Sequence, residues 1–83
     1  MKEKYQGNDN YGKPKQLFLD KIADLSDESL KDQCETLIWL SAYAANNPRS
    51  DYHWQVDACY DEFKKRDKLS LYQEAYDRAS ATM

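Results

Sequence analysis

The chain has 83 residues, 41% hydrophobic and 33% charged, with only two glycines, two prolines and a formal net charge of −3. That length supports one domain around one small core, and so few turn residues exclude an all-β architecture. Fifteen acidic against twelve basic side chains is too even a balance for a dedicated DNA mimic and has the wrong sign for a simple nucleic-acid binder.

Residues 1–13 are polar, with Gly7-Asn8-Asp9-Asn10 in the middle and Tyr5 and Tyr11 spaced unlike an amphipathic face. A mobile N-terminal arm is expected there; its slight positive charge (Lys2, Lys4 and Lys13 against Glu3 and Asp9) leaves open docking on a partner or on the chain's own acidic helices. A single helical domain follows over residues 14–80. Pro14 suits the first turn of a helix, and Phe18, Ile22 and Leu25 then line one side, with Leu17 beside them, to an end near Leu25.

Ser26 is the predicted N-cap of a second helix, with Asp27 and Glu28 in its first turn and Leu25 and Leu30 placed as a hydrophobic staple. This helix runs to about Ala45, its buried stripe being Leu30, Cys34, Leu37, Ile38, Ser41, Ala44 and Ala45, with Leu40 at the edge. Trp39 points almost opposite that stripe, among Glu28, Asp32, Glu35 and Tyr43. Asn46-Asn47-Pro48 ends the helix, and a connection that short sets the next helix antiparallel to it.

The third helix is marked at both ends: Ser50 caps it, Asp51 meets the positive end of its dipole, and Lys64, Lys65 and Arg66 meet the negative end. Tyr52, Val56, Cys59, Tyr60 and Phe63 form its apolar face, and Trp54 points away from that face, near Ala58 and Asp61. A last helix restarts at Ser70, with Gln73 completing a capping box and Tyr72, Ala75, Tyr76 and Ala79 facing inward; the tail from Ser80 is expected to fray. The predicted fold is all-α, a bundle of three to four helices.

No arrangement of nucleophile, base, metal ligands or phosphate-binding glycines is present in the sequence, so a non-enzymatic protein without cofactor or metal is expected. His53 is the only histidine; an i, i+4 charge pair with Asp57 on the surface is its predicted role. Cys34 and Cys59 fall at core-facing positions, where a thiol acts as a small hydrophobe. No apolar run is long enough to span a membrane, which points to a cytoplasmic protein.

Charge and rings mark two candidate surfaces. Lys64, Lys65, Arg66 and Lys68, with Arg78 and the N-terminal lysines, form a basic cluster able to meet nucleic acid, although Glu74 and Asp77 on the last helix would repel phosphates. Eleven of the 83 residues are aromatic, and Trp39, Tyr43 and Trp54 sit off the main stripes beside acidic residues. Either another helix of the bundle covers these rings, or they anchor a protein interface, where large rigid side chains bury much surface and freeze few torsions.

The runs Leu37-Ile38-Trp39-Leu40, Asn47-Pro48-Arg49-Ser50-Asp51-Tyr52-His53, Val56-Asp57-Ala58-Cys59-Tyr60-Asp61-Glu62 and Leu71-Tyr72-Gln73-Glu74-Ala75-Tyr76 together resemble small helical accessory proteins of tailed bacteriophages. The resemblance covers roughly the last 50 residues. It implies a protein of the host bacterial cytoplasm that binds a host enzyme or defence complex and blocks a surface, as anti-CRISPR proteins do. The expected site is then Trp39, Tyr43 and Trp54 as anchors, with Glu35 and Asp61 steering a basic partner; the same rings are also placed to build a homodimer.

Overall fold

A computed structural model of the chain describes residue 5 and residues 7–81; the expectations for Lys2, Glu3 and Lys4 and for the end of the C-terminal tail lie outside the described residues. Four helices follow in order: α1 (Lys15–Ala23), α2 (Asp27–Tyr43), α3 (Asp51–Lys65) and α4 (Leu69–Ala81). The all-α bundle expected from periodicity is the observed architecture.

Each helix end has a local cause. Ser26 Oγ accepts from the Ser29 amide at 3.2 Å and Ser50 Oγ from the Tyr52 amide at 3.3 Å, giving α2 and α3 the caps that their sequences announce. The end of α3 was less legible. Asp67 adopts a left-handed conformation with φ of 58°; its amide donates to the Lys64 carbonyl and that of Lys68 to the Phe63 carbonyl, at 3.1 and 2.8 Å. This Schellman turn, built without glycine, starts α4 at Leu69, so Ser70 lies inside the helix and is not its cap. Helices α1 and α2 stop two residues short of the expected ends, at Ala23 and Tyr43.

The register of the bundle can be read from pairs of residues. Ser41 meets His53, Cys34 meets Cys59 and Asp27 meets Arg66, so α2 and α3 run antiparallel. Lys31 meets Glu74 and Glu35 meets Arg78, so α2 and α4 run parallel, with two ion pairs one turn apart. The core between them is Leu30, Cys34, Leu37, Ile38, Ala58, Cys59, Phe63, Ala75 and Ala79, closed at the α1 end by Ile22. Ala75 and Ala79 are fully buried, and their small side chains let α4 approach α2 closely.

In place of a free arm, the described residues before α1 close into a loop seated on α3. Gly7 and Gly12 take positive φ values of 84° and 79°; Asp9 Oδ1 accepts from the amides of Tyr11 and Lys13 at 2.9 and 3.0 Å, and Asn8 bridges to Pro14. Aspartate turns of this kind satisfy the backbone without a core. The loop is tied to the start of α3 by the Asn10 amide, which donates to the Asp51 carboxylate at 3.1 Å, and by Asn10 Nδ2, which donates to the Arg49 carbonyl at 2.7 Å.

Candidate functional site

Because Leu30, Cys34, Leu37 and Ile38 turn inward, helical geometry places Glu28, Asp32, Glu35, Trp39 and Tyr43 on the opposite side of α2. Trp39 is 39% exposed and Tyr43 81% exposed. Their rings lie one helical turn apart, 7° from parallel, with centroids 5.6 Å apart, an offset stack in which each ring supports the other at the surface. Beside them, Glu35, Thr36, Trp39, Leu40 and Ala79 line a depression of about 320 Å³ between α2 and α4. At its edge Glu35 forms an ion pair with Arg78, Nε lying 3.2 Å from Oε1.

The other expected anchor is not on this surface. Trp54 is covered by its own chain: Phe18 meets it edge to face at 5.3 Å and 83°, Tyr5 packs at 6.2 Å and Lys15 Nζ sits 5.1 Å above the ring. Its indole Nε1 donates to Asp51 Oδ1 at 2.9 Å. Asp61, expected to steer a partner, accepts a 2.6 Å hydrogen bond from the Tyr5 hydroxyl. Burial, followed by that bond and the charges of Asp61 and Asp57, holds the Tyr5 hydroxyl well above the usual tyrosine range. The cause of both corrections is that α3 is packed on two sides, by α2 and α4 on one and by α1 on the other, so Ala58 is buried as well.

The basic cluster is also divided. Arg66 turns into the bundle: Nε donates to Glu62 at 2.8 Å, Nη1 to Asp27 at 2.9 Å and Nη2 to the carbonyls of Ile22 and Ala23 at 3.1 and 3.3 Å. It thereby satisfies carbonyls at the end of α1. The hydrogen bonds to Glu62 and then Asp27 raise the guanidinium further above its ordinary value, and the bond from Arg66 lowers the Asp27 carboxyl. Lys68 lies 3.6 Å from Asp27. Lys64 and Lys65 stay exposed at the end of α3, and Arg78 is on α4 with Glu35.

His53 does not form its hydrogen bonds with Asp57. Its Nε2 donates to the Asn47 carbonyl at 2.9 Å and its Nδ1 accepts from Ser41 Oγ at 2.7 Å; a carbonyl only accepts, which assigns the tautomer. The imidazole therefore braces the α2–α3 connection. Cys34 and Cys59 are free, fully buried and in contact; the hydrogen bond with Cys59, then burial, pushes the Cys34 thiol up, away from the reactive thiolate. Among the described residues, no group of three or more His, Cys, Asp or Glu side chains is placed to hold a metal ion. No helix among them is long and apolar enough to cross a membrane.

Three tyrosines expected on the inward faces of α3 and α4 stand at the margin of the core. Tyr52, Tyr60 and Tyr76 are 37%, 39% and 47% exposed, while Tyr72 is half-buried between Tyr60, at 5.0 Å edge to face, and Tyr76, at 6.5 Å. The signal was available in residue type, since a phenol keeps its hydroxyl wet at the margin of a small core. Compared with known protein families, curated proteins and solved structures, the chain matches none.

Proposed function

We propose that this chain is a small, non-enzymatic protein-binding module that acts by steric contact through the outer face of α2. The observation that carries the reading is the parallel Trp39–Tyr43 pair, held at the surface beside an apolar depression. Rigid aromatic rings around a pocket are the usual anchors of an interface. The phage-like pattern of the sequence extends the proposal to an inhibitor or modulator of a bacterial enzyme or defence complex in the host cytoplasm. For the nucleic-acid alternative, Lys64, Lys65 and Lys68 remain exposed, but Arg66 is engaged by Glu62, Asp27 and two carbonyls of α1.

The test is site-specific photo-cross-linking in bacterial cells, with p-benzoylphenylalanine in place of Tyr43 or, as control, in place of Lys64. The expected result is a discrete adduct with a host protein from position 43 that is lost on Trp39→Ala. Equal adducts from both positions, or none from position 43, would overturn the reading, and a chain-to-chain adduct would replace it with a homodimer.

A further inference from the structure

The outer face of α2 has an order along its length. Glu28, Asp32 and Glu35 precede Trp39 and Tyr43 on a strip about 22 Å long at 1.5 Å per residue, and no lysine or arginine occurs between Lys31 and Arg49. The neighbouring cations are already engaged from the flanks, Lys31 by Glu74 and Arg78 by Glu35. A line of carboxylates thus leads to a flat aromatic platform whose outer ring is 81% exposed.

We infer that this strip docks an arginine-bearing segment of a partner protein, its guanidinium stacked on the Trp39–Tyr43 rings and its charge met by Glu35 and Asp32. The inference rests on the protein-binding reading above and names the group that is recognised. A cation is called for because ring faces and carboxylates both attract positive charge. Arginine fits better than lysine because its guanidinium is planar, sheds water more readily and lies flat on a ring while its N–H groups reach a carboxylate one turn away. The chain already makes one contact of this kind, Lys15 Nζ over Trp54. Arg78 is the internal competitor: its pair with Glu35 is exposed, and exposed pairs of this kind exchange at little cost.

The experiment follows the indole N–H signals of the full chain by NMR during titration with octa-arginine and, separately, octa-lysine. Trp39→Phe identifies the Trp39 signal. Octa-arginine is expected to move the Trp39 signal and leave that of Trp54 in place, binding at least fivefold more tightly than octa-lysine. Tyr43→Ala, at a position too exposed to disturb folding, should weaken binding at least fivefold. Arg78→Gln should tighten it two- to fivefold by releasing Glu35, whereas Lys65→Gln, the same charge change on the α1 side of α3, should leave it unaltered.

Equal affinity for the two peptides, an unmoved Trp39 signal, or equal gains from Arg78→Gln and Lys65→Gln would overturn the inference and leave general charge attraction. Failure here is distinguishable from failure of the protein-binding reading. A host adduct from position 43 combined with equal affinity for the two peptides would sink the arginine inference alone.

Discussion

Arg66 Nη1 donates to Asp27 Oδ1 at 2.9 Å, joining the residue that ends α3 to the first residue of α2 across the bundle. The same guanidinium holds Glu62 and two carbonyls of α1, so three helices meet on one side chain that is 18% exposed. Losing the guanidinium leaves Glu62, 13% exposed, and the two α1 carbonyls without their donor, while Asp27, 41% exposed, is met by water, so Arg66→Ala is expected to cost about 1–2 kcal/mol. Arg66→Lys should recover less than half of that, because an ammonium cannot reproduce the fork. Urea unfolding of the three proteins measures both differences.

The two indoles should respond oppositely to truncation. Trp54 packs against Phe18 and Tyr5, and Trp54→Ala is expected to destabilise the fold by about 2–3 kcal/mol, below the range for a fully buried ring because the indole is only partly buried. Tyr43→Ala, on the open face of α2, should change stability by less than about 0.5 kcal/mol. Equilibrium unfolding followed by far-UV circular dichroism separates the two.

Asp67 bears the one left-handed non-glycine conformation among the described residues. Glycine adopts that conformation without a Cβ penalty, so Asp67→Gly is expected to stabilise the protein by about 0.5–1 kcal/mol. The gain should appear as a higher urea midpoint with unchanged cooperativity.

Alkaline pH should loosen the bundle through Tyr72. Burial first, then the neighbouring Cys34 thiol and the charge of Asp57, push its hydroxyl up to about 12, whereas an unfolded chain releases the proton near the ordinary value of about 10. The stabilisation is therefore complete below about pH 10 and is lost as pH rises toward about 12. Cys34, raised by its bond to Cys59 and by burial, adds to the same loss from lower pH. Tyr72→Phe is expected to reduce the fall in urea midpoint between about pH 10 and 12, leaving the contributions of the Cys34 thiol and of the Tyr5 hydroxyl, which is also raised.

Local chemistry made much of this protein legible in its residues. Ser26 and Ser50 cap their helices through bonds to amides two or three residues away, and Leu30, Cys34, Leu37 and Ile38, like Cys59 and Phe63, recur at the helical period and are buried. The outward position of Trp39 and Tyr43 follows from the same period, because the face opposite a single buried stripe meets solvent when no further helix covers it.

Periodicity assigns a face to a helix without saying how many neighbours that helix has. Only packing decided that α1 lies on the second side of α3, which took Trp54 and Asp61 out of the candidate surface and buried Ala58. Packing likewise drew Arg66 inward from a run of exposed cations, since a long flexible side chain goes where unsatisfied carboxylates and carbonyls lie, and these came from residues about 40 positions away. Which of the rings are covered depends on contacts between distant segments filling one small core, and no local pattern encodes that outcome.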